Sequence, residues 1–359
     1  MSQNVIKRIY QLDLFRFIAA LVVMLYHYLF RGFTADHLSD LSFSALTDYF
    51  KYGFLGINIF FIISGFVISL SIKDRSIVKF VISRISRLYP MYWTSVLITF
   101  IVILLFGAPR FTAEISQFLY NLTMFQNYIG IESIDGVYWT LFIEMKFYIF
   151  IIGTYLVLNK LKEIKLDYLI YTWLTMSVLY LFFYDYYIFR LAKSVFILDW
   201  SSYFIAGIIF YQIYKSHLNL KYGLLLLISV IVSVNHTIIE TARKARHFNL
   251  EFSPEISSGI IIVFYLLMIL VACNKLKRLN SSKFVTIGML TYPLYLIHQK
   301  IGYIIFNHFG NDSNKYFVVI STIIFMLSFS YYLTKYYEPK VSGYLKLKLN
   351  QLAIKYLKL

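Results

Sequence analysis

Cysteine, proline and charge are all scarce in this chain of 359 residues. The single cysteine, Cys273, excludes an intrachain disulfide framework and a cysteine-based metal site. Five prolines leave no proline-rich linker between domains. Only 14% of the residues are charged, against about 25% in an average protein, and this shortage argues against a soluble globular domain.

Apolar residues fill the space that charge leaves, because 59% of the chain is hydrophobic and 20% is aromatic. Apolar runs of roughly 17–25 residues recur along the chain, and that length crosses about 30 Å of hydrocarbon. The pattern predicts an all-α polytopic membrane protein, a bundle of about ten transmembrane helices. The predicted spans lie near 12–30, 53–72, 91–108, 139–158, 167–185, 199–214, 222–239, 257–273, 285–307 and 316–337.

The net charge of +16 comes from cations in the short connections between apolar runs. Of the 34 Lys and Arg residues, 21 lie on one predicted side of the membrane, in alternate loops and at both termini. The positive-inside rule therefore predicts cytoplasmic termini, and this placement argues against a nucleic-acid groove. The basic segment 241–255 is the exception, since it falls on the predicted outer side. Either the neighbouring spans are drawn wrongly or the segment meets an anionic group.

The chain divides into a predicted transmembrane domain, 1–340, and a basic tail, 341–359. The tail alternates Lys with Leu and Tyr, a pattern typical of an amphipathic segment on an anionic lipid surface. A disordered basic tail is the alternative.

Arg16 and His27 are the unusual residues of the first span. An arginine at mid-membrane costs roughly 2.5–3.5 kcal/mol, and less where it reaches the interface. Eleven residues at 100° each come within about 20° of three full turns, so both side chains share one helix face, roughly 16.5 Å apart along the axis. A snorkelling arginine and an interfacial or satisfied core histidine are the structural alternatives.

Glu144 lies about five residues into the fourth span, at a depth comparable to that of His27. A carboxylate there must be paired or protonated. Lys146 points to another helix face, so His27 is the predicted partner, with Glu144 holding the imidazole as a general base. A structural ion pair between helices is the alternative. Two such ligands are too few for a transition metal, so no metal site is predicted.

Three further sets of polar residues have both functional and structural interpretations. Arg84 and Arg87 share a helix face at the cytoplasmic surface and suit phosphate oxygens, or they only set topology. Ser64–Gly65 suits close helix packing or a ligand passing the bare backbone. His298 lies near mid-depth behind Pro293, which is expected to kink the ninth span.

These motifs, in this order, resemble the acyltransferase 3 family of integral membrane O-acyltransferases. The paired spacings Arg16–x10–His27 and Trp139–x4–Glu144 are the specific part, whereas Asn58 and Thr140 depart from the residues that many members carry. The matching segments cover about residues 9–340 and read "LDLFRFIAALVVMLYH", "GINIFFIISGF", "RISRLYPMYW", "VYWTLFIEMKFY", "IGMLTYPLYLIHQ" and "YYEP".

The resemblance implies a multi-pass protein of the cytoplasmic (inner) membrane with no permanently bound cofactor. It would move an acyl group, most often acetyl, from cytoplasmic acyl-CoA to a hydroxyl of an extracytoplasmic or lipid-linked glycan of the cell envelope, such as O-antigen, capsule or exopolysaccharide. By position, Arg16 and His27 look like the family's essential pair, Ser64–Phe66 its second-helix motif, and Arg84 and Arg87 its basic loop.

The resulting hypothesis gives His27, Glu144 and Arg16 catalytic roles, with Arg84, Arg87, Ser64 and Gly65 on the donor. Tyr138, Trp139 and His298 are predicted to contact the acceptor; an aromatic belt is the alternative for the first two. His27 would act as a base or accept the acyl group transiently. A transporter or flippase for a glycan or small anion is the rival function, and a structural membrane subunit is a third.

Overall fold

The computed structural model describes residues 8–72, 76–160 and 166–357, so the predicted loop positions 73–75 and 161–165 and the last two tail residues lie outside it. Short π-helical segments, His27–Ala35 and Leu333–Tyr337, follow α1 and α13. The α-helices are α1 Tyr10–Tyr26, α2 Ser44–Phe50, α3 Gly56–Ile72, α4 Ile77–Phe106, α5 Ile115–Asn121, α6 Trp139–Lys160, α7 Leu166–Phe183, α8 Tyr187–Phe196, α9 Ser201–Ser216, α10 Leu220–Phe248, α11 Pro254–Ala272, α12 Phe284–Phe309, α13 Lys315–Tyr332 and α14 Glu338–Leu357.

Local sequence sets where several of these helices begin. Ser76 caps α4 by accepting a hydrogen bond from the amide of Lys79, and Asn219 caps α10 in the same way. Ser253 caps α11, and Pro254 at its first position has no amide that needs a partner. The apolar runs that follow these caps extend the helices to bilayer length.

The prediction of an all-α polytopic membrane protein is confirmed. Among the described residues, eight helical segments are long and apolar enough to span a membrane, and the bent pair α8 and α9 would make a ninth. Helix α12 covers the predicted ninth span with 26 residues, and its polar residues, among them His298, Gln299 and Lys300, lower its mean hydropathy.

The basic segment 241–255 is mostly helix, which changes the prediction of a loop there. Helix α10 continues through this segment to Phe248, and Asn249 closes it with a left-handed φ of 52°. Alanine, arginine and lysine favour helix, and the cations in the last turn suit the negative end of the helix dipole. The seventh predicted span therefore ends about nine residues too early.

The chain forms two compact units. The first contains Met1–Ala19, Leu55–Lys73 and Ile143–Phe284. Its centre is α9, whose residues 201–211 are all buried and which packs against α3, α7, α10 and α11. Gly65 of α3 and Gly207 of α9 lie at the closest approach, where a Cβ on either glycine would collide with the backbone of the other helix.

The second unit contains Ala20–Phe54, Asp74–Phe142 and Val285–Leu359. Its C-terminal helix α14 packs against α4, and the hydroxyl of Thr94 bonds that of Tyr337 at 3.0 Å. The tail is thus helical as far as Leu357, and its place on a lipid surface stays a prediction. The π-helical segment His27–Ala35 and α12 make the contacts described next.

Candidate active site

His27 begins the π-helical segment that follows α1 and is only 4% exposed. π-Helical turns recur at functional sites because they displace side chains from the regular α-helical register. The imidazole Nδ1 lies 2.8 Å from the carbonyl oxygen of Val23, one turn earlier. At the far end of the segment, Arg31 and Asp36 form an ion pair at 2.6 Å.

His298 of α12 also contacts the Nδ1 of His27. The Nε2 of His298, which is completely buried, lies 3.1 Å from the Nδ1 of His27. The Nδ1 of His298 lies 2.9 Å from the carbonyl oxygen of Tyr295 and 3.1 Å from that of Leu294. These two histidines are separated by 271 positions in sequence.

The carbonyl contacts determine the tautomers of both rings. A carbonyl oxygen only accepts hydrogen bonds, so the Nδ1 of each histidine carries the proton. His298 Nε2 is then an acceptor, and the Nδ1–H of His27 is shared between it and the oxygen of Val23. This arrangement leaves the basic lone pair of His27 on Nε2, which is the protonation state that a general base requires.

Two tyrosines hold the backbone around the histidine pair. Tyr28 donates to the carbonyl oxygen of His298 at 2.8 Å, and Tyr303 donates to that of His27 at 3.2 Å. Each tyrosine ring passes over a glycine of the other helical segment to reach its carbonyl partner. A Cβ at Gly32 would come within 2.6 Å of the Tyr303 ring, and one at Gly302 would collide with the Tyr28 ring. The close approach therefore requires glycine at both positions.

Asp135 ties the start of α6 to the helix that carries His298. Its carboxylate, completely buried, accepts from the amides of Val137 at 3.2 Å and Lys300 at 3.0 Å. Burial raises the pKa of this carboxyl to about 6, although the two amides and the Lys300 charge oppose the change. One turn further on, the Thr140 hydroxyl bonds that of Tyr295 at 2.9 Å.

Glu144 has hydroxyl partners within the first unit. Ser64 donates to its Oε1 at 3.1 Å, and Tyr148, one turn later on α6, donates to the same oxygen in a short hydrogen bond. Ser64 and Glu144, both singled out in the sequence, are thus brought together. His27 belongs to the second unit, so its contact with Glu144 stays a prediction.

The predicted donor-binding residues lie on three helices. Arg16 is half-buried on α1, while α4 carries Arg84, half-buried near the Phe80 ring, and the exposed Arg87. The bare backbone of Gly65 faces α9, so helix packing accounts for that glycine. A role for these residues in donor binding stays a prediction.

The predicted acceptor-binding aromatic residues differ in exposure. Tyr138 is completely buried with its ring 5.1 Å from that of Tyr92, an arrangement that favours a packing role. Trp139, the first residue of α6, is half-buried. Stacking of either ring on a sugar stays a prediction.

Sequence reasoning missed Tyr28, Tyr303 and Asp135 around the histidine pair of the second unit, and Tyr148 beside Glu144 in the first. Tyr148 could have been found, because it lies four residues after Glu144 on the same helix face. Asp135–Gly136 before an apolar run is a recognisable helix start. The two tyrosines carry no such local signal, because their partners lie on distant helices.

Comparison with known proteins gives a match over nearly the whole chain. A family model described as an acyltransferase domain matches residues 9–335. Nodulation protein 10 of Rhizobium leguminosarum bv. viciae is 28% identical over 162 residues, which are 38% of this chain and 41% of that protein. The match therefore spans less than half of the relative's length. No solved structure matches the chain.

Proposed function

The chain belongs to this acyltransferase family, and we propose that it moves an acyl group, with acetyl as the first choice, from cytoplasmic acyl-CoA to a hydroxyl of a cell-envelope glycan. The acceptor is extracytoplasmic or lipid-linked, and the membrane is the cytoplasmic one. Family membership makes the protein an acyltransferase, and the apolar helices make it a membrane protein.

The observation that carries the chemistry is the hydrogen-bonded pair of His27 and His298. The Nδ1–H of His27 is directed at the Val23 carbonyl and at His298, so Nε2 is the basic atom. When Nε2 takes a proton, the new positive charge is shared with Nδ1–H, whose two acceptors already have the geometry to stabilise it. A general base of this kind contributes about a hundredfold to ten-thousandfold in rate.

In the proposed step, His27 Nε2 removes the proton from the acceptor hydroxyl as its oxygen attacks the thioester carbonyl. The new carbon–oxygen ester bond forms and the carbon–sulfur bond breaks. The proton on His27 then passes to the departing sulfur, which leaves as the free thiol of CoA. A transient acyl group on Nε2 is the second route, and it gives the same products in two steps.

The donor side of the proposal rests on the cations of α1 and α4. Arg84 and Arg87 would bind the phosphates of CoA, because guanidinium groups match phosphate oxygens. Arg16 lies three turns before His27 in the sequence of the first span, and the pantetheine arm would follow this face. Ser64 and Gly65 are the remaining donor residues.

Glu144 is proposed as the catalytic carboxylate because of its position in the sequence and because two hydroxyl groups hold its side chain. Two hydroxyl donors, Ser64 and Tyr148, set the direction of one carboxylate oxygen. A carboxylate that is held in this way keeps its geometry when charge develops nearby. On the acceptor side, Trp139 remains a proposed contact, together with Tyr138 just before α6, whereas the buried His298 is proposed to act through His27.

The test is transfer of label from radiolabelled acetyl-CoA into base-labile glycan ester in membranes that hold the protein. Wild type should transfer label and His27→Ala should not. His308→Ala is the matched control. Like His27, His308 has its Nδ1 at hydrogen-bond distance (3.0 Å) from the carbonyl oxygen four residues earlier, but His308 is exposed and lies outside the site.

Three results would count against the proposal. Wild type that transfers no label from any CoA donor tried would refute the function. His27→Ala that transfers as well as wild type would refute the mechanism and leave the family assignment in place. Movement of labelled glycan across the membrane without ester formation would favour a transporter.

A further inference from the structure

An open cavity of about 630 Å³ lies where α11 ends, and residues 273–279 line it. The backbone of this loop is well supported. The amides of Cys273, Asn274 and Lys275 cap the last carbonyl groups of α11 at 2.8–3.0 Å. Asn274 makes the turn with a left-handed φ of 55°, which asparagine tolerates better than most residues. One turn of 3-10 helix, Lys277–Leu279, completes the loop.

The lining of the cavity is strongly cationic. Three of its seven residues, Lys275, Lys277 and Arg278, carry positive charge, and none carries negative charge. Within the described part of the chain, none of the three forms an ion pair with a carboxylate. Several other cations of the same unit are paired with carboxylates, as in Lys221 with Asp167 at 2.5 Å. The charge at this cavity is therefore uncompensated.

The start of α1 holds the loop in place and adds a buried polar group behind it. Gln11 is 4% exposed and donates through Nε2 to the carbonyl oxygen of Leu276 at 3.0 Å. The amide of Tyr10 donates to the side chain of Asn280 at 3.1 Å. Among the described residues, the Oε1 of Gln11 has no hydrogen-bond partner.

We propose that this cavity binds the phosphate group of a ligand. Ammonium and guanidinium groups form short, charge-assisted bonds with phosphate oxygens. The negative end of the α11 dipole opposes an anion, but it amounts to about half a charge and its carbonyls are capped, whereas the loop supplies three full charges.

Two sources of such a group exist on the predicted cytoplasmic side, to which this loop belongs. One is a soluble nucleotide of the CoA type, with its phosphates, ribose hydroxyl and adenine amine. The other is the headgroup of an anionic phospholipid such as phosphatidylglycerol. The site does not depend on the proposed reaction, since it would bind phosphate whether or not His27 transfers an acyl group.

The test compares the full-length protein with a variant that combines Lys275→Gln, Lys277→Gln and Arg278→Gln. A matched control, Lys79→Gln, Arg110→Gln and Arg190→Gln, removes the same charge from exposed positions. In the first arm, CoA is titrated into each protein in a neutral detergent, at low salt and again at about 1 M salt. In the second arm, phosphatidylglycerol retained from nanodiscs is counted by native mass spectrometry against phosphatidylcholine.

We expect the loop variant to lose about tenfold or more in affinity for at least one probe, with the control within about twofold of wild type. The wild-type advantage should shrink at about 1 M salt, where the screening length falls to about 3 Å. Loss in the CoA arm identifies a nucleotide source, and loss in the lipid arm identifies a headgroup. The proposal is overturned if both probes bind the loop variant as well as wild type, or if the control loses as much. The His27→Ala transfer assay is a separate readout, so failure here would leave the proposed reaction standing.

Discussion

Replacing His298 with leucine should slow acyl transfer without weakening donor binding. The side chain is completely buried, and its Nε2 accepts the Nδ1–H of His27 at 3.1 Å. Leucine fills the space with apolar atoms and removes the acceptor. The Val23 carbonyl still orients the imidazole and stabilises part of the charge that it gains as a base.

The size of the effect follows from the bond that is lost. A hydrogen bond to a charged group contributes about 1.5–3 kcal/mol, which corresponds to about 10- to 150-fold in rate. Because Val23 keeps part of this stabilisation, we expect kcat to fall by about tenfold. The KM for acyl-CoA should stay within about twofold of wild type, because His298 acts on the transition state through His27. His298→Gln, whose amide oxygen is an acceptor, should recover part of the loss.

The assay is initial-rate transfer from labelled acyl-CoA by purified protein in nanodiscs, with folding checked by the melting temperature. His308→Leu serves as the matched control, because that histidine is exposed and outside the pair. A folded His298→Leu variant with wild-type kcat would refute the role of His298 as a positioning residue. A loss confined to KM would also refute it.

Three further predictions concern the surroundings of the site. Burial raises the pKa of Asp135 to about 6 from 3.8, so its stabilising contribution is full below about pH 4 and disappears as pH rises through 6. The free energy of unfolding of wild type, relative to that of Asp135→Asn, should therefore fall by about 3 kcal/mol between pH 4 and 7. Melting curves of the two proteins that move in parallel with pH would contradict this. Gly302→Ala should lower the free energy of unfolding by about 1–3 kcal/mol, because the added methyl group meets the Tyr28 ring. Gly223→Ala is the control and should be neutral or stabilising in the same melting assay, because nothing lies within 4 Å of the added Cβ. Tyr148→Phe removes a hydroxyl donor from Glu144 and should lower the transfer rate by about fivefold to tenfold; an unchanged rate would show that this hydrogen bond is not needed.

The helical architecture was predictable because the bilayer ties span length to apolar run length. The predicted ends were less accurate where polar residues continue a helix. Residues 241–248 read as a basic loop, yet their helix-favouring side chains extend α10 beyond its apolar part. Conversely, α12 forms over the predicted ninth span although it is not among the described helices that are apolar enough to count as spans.

The individual site residues were more predictable than their partners. His27, Glu144 and His298 stand out because ionisable residues are costly in apolar helices. Their hydrogen bonds depend on which helices pack together, and no local pattern encodes a contact between residues 271 positions apart. Sequence alone assigned the role of orienting His27 to Glu144, which stays a prediction, and it missed the carbonyl oxygen and the second histidine that lie at Nδ1.

Gly302 is a second residue whose role cannot be predicted from the local sequence, in this case because its role is in packing. Its neighbours in sequence give no reason for a glycine inside a helix, where it costs about 0.5–1 kcal/mol relative to alanine. The reason is Tyr28, which passes over it to reach the carbonyl of His298. Only the packed structure shows that this glycine and the histidine pair belong to one arrangement.

The central claim is that His27 carries its proton on Nδ1 and presents a basic Nε2 to the acceptor. Nitrogen NMR of protein labelled at its histidine rings, with the His27 signals assigned from the His27→Asn variant, measures this directly, because protonated and unprotonated ring nitrogens differ in chemical shift. At neutral pH we predict a protonated Nδ1 and an unprotonated Nε2 for His27, and a change in the His27 Nδ1 signal in His298→Leu. A neutral His27 ring protonated on Nε2 would contradict the proposed mechanism.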